Sequence, residues 1–514
     1  MSRLELWQVN ADKSRNELPV PRVFQLGVLI FILLTGAVPV ILQALINGLT
    51  TPGNGFALAL IAGLFYDILR IAPLIVLARH PAGVLHPVII AVVLWPLLTT
   101  LPSLIDTFGG YAGLLSGNPL RPPYFVAIAW LDGDTTWLEV ARYSSFQIIA
   151  LLSFYGGFVL TRPRTRRRIK VFDTVDTLRL RSILAGIIIM NFIGVAVFIQ
   201  LRGGLVEHIG ELAYGRFRAL EGLGPLLALF DIGFLALLLW ICLRPQDAKS
   251  KLFITLLPLV SAQQFIVAGS RAATLLVFVL IGLGWALAAR RVPWRLGLIL
   301  LPIAFLSFGA LNIIRTASLS NATALEAAQD SDLASILERS QNEFDLRQSL
   351  SGTIPVISDG MRTTGPMWGY TYSGAIFAMV PRSIWPEKPR GPGSLYAQTF
   401  LGETVQGTAV PIGPEAEAFW NFHIPGLIII FAFYGLVLKL AFSIYIRSPD
   451  NGLVIAGFLL VATQFGVSTD QLVAFQQMVL TFAIMLGVIF IFYRDAFRPA
   501  RRQMTALVKP SKAY

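Results

Sequence analysis

The sequence predicts an all-α, polytopic integral membrane protein with about twelve transmembrane helices, and three observations carry that expectation. The first is composition. Of 514 residues, 55% are hydrophobic and only 14% charged, with a mean hydropathy of +0.68, whereas soluble globular chains carry about 25% charged residues. The second is that the apolar residues fall in runs long enough to cross roughly 30 Å of hydrocarbon. The third is that the 41 Lys and Arg, set against 29 Asp and Glu, sort by loop. A chain of this length could hold three or four soluble domains of about 150 residues, but the apolar runs favour one membrane domain. Cys242 is the only cysteine, and His80, His86, His208 and His423 lack metal-ligand spacing, so neither a disulfide framework nor a metal site is expected.

Taken in order, the runs cover approximately residues 23–46, 55–78, 85–105, 142–160, 182–200, 225–243, 252–268, 272–289, 296–314, 424–446, 452–467 and 472–493. The first follows a mixed-charge leader (Arg3, Glu5, Asp12, Lys13, Arg15, Glu17, Arg22) with no small-residue cleavage site, so it reads as a retained helix. An even number of spans places both termini on one side. The resulting organisation is a tail (1–22), nine spans (23–314), a long loop (315–423), three spans (424–493) and a second tail (494–514).

Cytoplasmic loops near helix ends carry the excess of Lys and Arg. An inside N-terminus puts Arg162, Arg164, Arg166, Arg167, Arg168, Lys170, Arg179 and Arg181 in one inner loop. It also places Arg244, Lys249 and Lys251, then Arg290, Arg291 and Arg295, and the cations of both tails on the same side. The 162–170 cluster reads as a topology determinant in contact with anionic lipid rather than as a nucleic-acid surface.

The opposite side carries the polar content. Loop 315–423 is too long to be a mere connection. Its first part (321–350) has the apolar pattern of an amphipathic helix, with Leu325, Leu333, Ile336, Leu337, Phe344 and Leu346 among charges. Beyond Gly352 it turns to Gly, Pro and aromatics, including Trp368, Tyr370, Tyr372, Trp385 and Pro386, a composition suited to the membrane interface. Outer cations are few: Arg202, Arg216, Arg218, Arg271, Arg315, Arg339, Arg347, Arg362, Arg382, Lys388 and Arg390. Arg271 and Arg315 sit at span ends, where each either snorkels to headgroups or pairs with an acid, or converges with others on a lipid pyrophosphate that guanidinium binds bidentately.

Several outer segments resemble a known family. These are Gly203-Gly204 with Tyr214-Gly215-Arg216 and Gly222-Leu223-Gly224, the turn Gly269-Ser270-Arg271, the run from Ala378 through Pro381-Arg382-Ser383-Ile384-Trp385-Pro386-Glu387-Lys388-Pro389, and the run from Pro414 through Glu415-Ala416-Glu417 to Trp420-Asn421-Phe422. Together they resemble oligosaccharide repeat-unit polymerases of the Wzy type over roughly residues 200–435. The family usually continues Asn-Phe-Gly, and this chain reads Asn421-Phe422-His423.

The resemblance implies a GT-C-like, metal- and cofactor-independent glycosyltransferase in a bacterial inner membrane, active on the periplasmic face. It would transfer a growing glycan from undecaprenyl pyrophosphate to a new lipid-linked repeat unit, making O-antigen or exopolysaccharide. Implied partners are undecaprenyl-pyrophosphate-linked oligosaccharides, membrane lipids, and a chain-length regulator and flippase of the same pathway, without nucleic acid. The reaction needs a base for the acceptor hydroxyl, cations for the leaving pyrophosphate and aromatic platforms for sugars. Candidate bases are Glu417, Glu415, His423 and Asp345. Arg271, Arg315, Arg216, Arg382, Lys388 and Arg390 are the pyrophosphate candidates, and Tyr370, Tyr372, Trp385 and Trp420 the platforms, with Trp368 beside them. No P-loop or strand-linked Gly-x-Gly is present, in keeping with a lipid-linked donor.

Other polar residues have structural readings. Asp67 and Arg70 lie one helical turn apart and can satisfy each other, Asp231 and Asp470 can position an arginine or cap a turn, and Gln263 and Gln264 suit inter-helix hydrogen bonds. Two other functions fit the span count: an O-antigen ligase, with the same donor chemistry and a lipid acceptor, and a secondary transporter or lipid flippase. The latter usually shows internal repeats, and none is evident here. The loop charges predict that a membrane-impermeant thiol reagent labels intact cells carrying Ser320→Cys but not Thr165→Cys; labelling at 165 would reverse the topology.

Overall fold

A computed structural model of the chain describes residues 22–35, 54–77, 80, 82–94, 133–161, 176–220, 223–269, 271–291, 353–377, 380, 384–385, 387–400, 412–464 and 471–494. Among them the regular structure is helical, with no strand. The helices are α1 (Arg22–Thr35), α2 (Asn54–Val76), α3 (Gly133–Leu160), α4 (Thr177–Leu201), α5 (Leu205–Ala219), α6 (Gly224–Phe230), α7 (Ile232–Leu243), α8 (Lys251–Ala268) and α9 (Arg271–Ala289). They continue with α10 (Thr353–Thr364), α11 (Tyr370–Ile376), α12 (Pro392–Phe400), α13 (Gly413–Arg447), α14 (Gly452–Gln464) and α15 (Gln471–Phe492). Six helical stretches are long and apolar enough to cross a membrane: within α2, α3, α4, the α6–α7 pair, α8 and α13. Shorter apolar helices lie in α9, α14 and α15. The protein is therefore a multi-pass membrane protein.

Its surface agrees with a hydrocarbon solvent. Ile61, Ile75, Val159, Met190, Val197, Ile429 and Ile491 all stand exposed, a distribution that water would penalise and lipid does not. The protein core instead gathers around α7, where Gly233 through Cys242 are buried without interruption. A helix apolar on every side belongs at the centre of a bundle, and α7 packs against α4, α8, α9, α14 and α15.

Local signals set several boundaries. The Asp176 carboxylate accepts from the Leu178 and Arg179 N–H groups at the start of α4, and the Ser250 hydroxyl accepts from Phe253 N–H at the start of α8. Asn451 Oδ1 does the same for α14, accepting from Leu453 and Val454. Gly269, at φ +60°, ends α8 in the left-handed conformation that glycine adopts at low cost.

Three expected spans differ from the sequence reading. The continuous span expected at 225–243 is two helices, broken at Asp231. The carbonyls released there are satisfied by side chains from other helices: Thr481 Oγ1 donates to Ala228 O (3.0 Å) and Gln263 Nε2 to Phe230 O (3.0 Å), as hydrocarbon demands. Gln263 Nε2 also donates to Asn191 Oδ1, and Gln264 bonds Asp231, so the two glutamines tie helices together and Asp231 meets Gln264 rather than an arginine. The segment expected at 85–105 is described over 83–94 as a 3-10 turn, a short α turn and a π turn. The span expected from 424 is the second arm of α13, whose first arm begins at Gly413. Asp67 and Arg70 do meet, at 4.0 Å. The expected span at 296–314, the amphipathic helix at 321–350 and Asp470 lie outside the described residues.

Loops grouped by their charge gather at one end of the bundle. Asp176 N–H donates to Tyr493 Oη (3.0 Å) and the Arg179 guanidinium covers the Tyr493 ring. Asp247 accepts from Trp240 Nε1 and Arg244 Nε, each at 2.9 Å, with Arg181 Nε at 3.7 Å. Burial alone would raise the Asp247 carboxyl, but these hydrogen bonds and the charges of Arg244 and Arg181 outweigh it and hold it below the ordinary range. Arg290 pairs with Asp450 at 2.8 Å nearby in the same set of turns.

The closest helix pair is α3 against α13. A Cβ on Gly157 would strike the Ala432 carbonyl, and one on Gly435 would strike the Phe154 carbonyl and lie 2.8 Å from Phe158 N. Small residues permit such backbone approach in membranes. Gly435→Val should therefore destabilise the protein by about 1–3 kcal/mol through overpacking, while Gly156→Ala, whose added Cβ meets nothing within 4 Å, should be neutral. Thermal unfolding in detergent checks this, and equal midpoints for the two variants would remove the close approach as a constraint.

Candidate functional site

The site is organised by a break in α13. Pro425 has no N–H, so the carbonyl four residues earlier, Asn421 O, loses its helical donor. The backbone departs from helix at Phe422 (φ −140°, ψ 17°) and His423 (φ 55°, ψ −151°). The two released carbonyls are taken by the loop before α11: Met367 N–H donates to Trp420 O and Trp368 N–H to Asn421 O, both at 3.0 Å. That loop reaches them through three consecutive-looking reversals, with Gly365, Trp368 and Gly369 all at positive φ. Gly426 is needed beside the break, because a Cβ there would meet the Ala418 carbonyl and Phe422 Cβ.

Docking the loop brings α11 onto the first arm of α13. Thr371 Oγ1 donates to Glu417 Oε1 (2.8 Å), and Asn421 Nδ2 donates to Thr371 Oγ1 (2.7 Å) and to Glu417 O (2.9 Å). Glu417 is 3% exposed and Asn421 fully buried. A buried carboxylate needs such hydrogen bonds to offset desolvation. Asn421 Oδ1 and the Tyr372 hydroxyl are buried without a hydrogen-bond partner among the described residues. Burial, then the nearby charges of Glu417, Tyr434 and Glu415, hold the Tyr372 phenol well above its ordinary value, so it stays a neutral O–H donor. The arrangement therefore offers a carboxylate acceptor, a phenol donor and an amide acceptor within one enclosed cluster. Glu415 occupies the first turn of the same helix, where the macrodipole favours an acid.

The other expected residues separate. His423 is exposed and edge-on to Phe419 at 5.5 Å. Trp420 is fully buried against Tyr396 and Phe400; it is a core residue here, which corrects its expected role as a sugar platform. The Tyr372 ring stacks on Phe422, with centroids 6.2 Å apart and planes 8° apart. Tyr370 is exposed, and Trp385 is partly buried with Phe377 edge-on at 5.0 Å. Lys388 Nζ donates to Val380 O (3.1 Å), while Arg390 is exposed. Of the outer cations, Arg202 pairs with Glu211 and Arg362 with Asp359. Asp345, Arg315 and Arg382 lie outside the described residues, as do the side chains of Arg271 and Arg216. Among the described residues no group of three His, Cys, Asp or Glu side chains is placed to hold a metal ion.

Two contributors escaped the sequence reading. Thr371 carries no signal of its own, because a lone threonine beside aromatics fits any loop. Arg142 does: it opens the fourth span as Arg271 opens the eighth. It hydrogen-bonds Ser358 on α10 (NH2 to Oγ, 2.7 Å), approaches Glu139 at 3.6 Å, and lies over the rings of Phe146 and Phe419. Through Phe419 it borders the Glu417 cluster.

Compared with protein-family models, curated proteins and solved structures, the chain matches none.

His423 holds a backbone conformation that is essentially reserved for glycine and costs a side-chain-bearing residue about 1–3 kcal/mol. His423→Gly should raise stability by about 1 kcal/mol after glycine's own entropic cost, and the β-branched His423→Val should lower it. Indistinguishable unfolding midpoints for the two variants would show that the break is unstrained.

Proposed function

We propose that the protein is a lipid-pyrophosphate-dependent glycosyltransferase that polymerises undecaprenyl-pyrophosphate-linked repeat units at the periplasmic face of a bacterial inner membrane. In this reading twelve spans of a GT-C-like bundle place both termini and the Asp247 end in the cytoplasm and α10–α13 outside. The observation that carries it is the enclosed Glu417 carboxylate, held by Thr371 and Asn421 on the run that resembles the Wzy-type polymerases. The loop charges support the sidedness.

Glu417 takes the proton of the acceptor hydroxyl as that oxygen attacks the anomeric carbon of the donor glycan. The carbon–oxygen bond to pyrophosphate breaks, and its electron pair leaves with the pyrophosphate, whose charge the outer arginines, Arg271 and Arg315 among them, stabilise. Thr371 fixes one carboxylate oxygen and leaves the other for the substrate. Tyr370 and Trp385 offer aromatic surface to sugar rings.

Glu417→Gln preserves shape and removes basicity. Its polymerisation rate, assayed with purified protein and lipid-linked repeat units, should fall about 10²- to 10⁴-fold with substrate binding retained; near-normal polymer would move the role to Glu415, Asp345 or His423. Arg271→Lys and Arg315→Lys keep charge but lose the planar fork, so each should slow the reaction, and normal rates in both would leave these arginines as membrane anchors. Transfer to a lipid A-type acceptor in place of a repeat unit would identify a ligase.

A further inference from the structure

Between α2 and α3 the surface opens as an apolar groove of about 450 Å³. Leu58, Ile61 and Phe65 form one wall and Leu138 and Ile148 the other, and Arg142 is its only charged residue. The walls are mostly exposed large side chains, on helices that face hydrocarbon. Arg142 lies towards the Gly133 end of α3, the end that meets α10 and the first arm of α13.

The guanidinium is fixed but not saturated. Ser358 takes one N–H, Glu139 stands beyond hydrogen-bonding distance at 3.6 Å, and Phe146 and Phe419 flank the plane. Arginine carries five donors. A guanidinium held in place on aromatic faces, with donors to spare, is suited to bidentate recognition of a phosphate. Below it runs one apolar strip between two neighbouring helices, within the range of about 300–1,000 Å³ that encloses a small ligand and with the shape for a single hydrocarbon chain. A diacyl phospholipid brings two chains to its phosphate; a polyprenyl phosphate brings one.

We propose that this groove holds the first isoprene units of a polyprenyl phosphate or pyrophosphate, with Arg142 on its phosphate, and that it delivers the lipid head to the Glu417 cluster. Arg142 touches Phe419, two residues from Glu417, so a phosphate bound there borders the carboxylate. The proposal rests on the polymerase reading, and it adds a positioning residue and a lipid path that none of the candidate arginines at 271 and 315 supplies.

The test is binding without turnover. The full-length protein in phosphatidylcholine nanodiscs is titrated with sugar-free undecaprenyl phosphate and, separately, with phosphatidylglycerol. Arg142→Ala should weaken undecaprenyl phosphate binding about tenfold or more, the loss expected for hydrogen bonds to a charged group, with Arg142→Lys intermediate. Ala62→Phe, which fills the groove from α2 without touching the guanidinium, should weaken it as well, and phosphatidylglycerol binding should change in none of the three. Should Arg142→Ala fold poorly, Arg142→Lys and Ala62→Phe decide. Wild-type affinity in Arg142→Ala and Ala62→Phe overturns the proposal, and so does equal competition by phosphatidylglycerol, which would make the groove an ordinary lipid contact. Because no sugar is transferred, these outcomes are independent of the Glu417→Gln assay: failed binding leaves the polymerase reading standing, and an active Glu417→Gln leaves the groove standing.

Discussion

The site depends on two carbonyl groups. Where α13 breaks, Trp420 O and Asn421 O lose their helical donors, and an unpaired backbone carbonyl beside hydrocarbon is expensive. Only the N–H groups of Met367 and Trp368 reach them, and this exchange of intrahelical for tertiary hydrogen bonds fixes the loop before α11. Thr371 then falls opposite Glu417. Had α13 continued as one straight helix, its first arm would have kept its own hydrogen bonds and offered α11 nothing to dock on. The strained His423 backbone and the clearance at Gly426 are consequences of the same break.

Solvent imposes the second layer of order. Apolar side chains on the exterior gain nothing from burial against one another in lipid, so the bundle is held by close backbone approach at Gly157 and Gly435, by the wholly apolar α7, and by side-chain hydrogen bonds across helices. The break at Asp231 follows the same rule as that at His423: each released carbonyl finds a donor on another helix. Ionic groups collect instead at one end, where Asp247 joins Trp240, Arg244 and Arg181, and Arg290 joins Asp450. There water competes, and no single pair contributes much. At the opposite end Arg142, Ser358, Thr371 and Glu417 are polar groups set among aromatic rings, where a shielded hydrogen bond counts for more than it does in water.

Much of the architecture was legible in the sequence, because it follows from local composition. Runs of some twenty apolar residues mark α4, α8 and the second arm of α13 wherever the chain folds, and Asp176, Ser250 and Gly269 mark their ends through hydrogen bonds within a few residues. The same holds for the grouping of the basic loops and for Glu417 as a carboxylate worth singling out. The pairing of Gln263 with another helix was legible as a type of contact, though not its partners, Asn191 and Phe230.

What only the tertiary structure decided involves residues distant in the chain. Thr371 and Glu417 are 46 positions apart, and Arg142 and Ser358 are 216 apart; no periodicity links them. Trp420 reads as an interfacial aromatic because its neighbours in sequence are polar, yet its neighbours in space are Tyr396 and Phe400, and they bury it. Sequence determined which segments enter hydrocarbon, since that depends on transfer free energies summed over adjacent residues. Which polar groups face one another depends on where broken helices find donors for their freed carbonyls, and that is settled by packing.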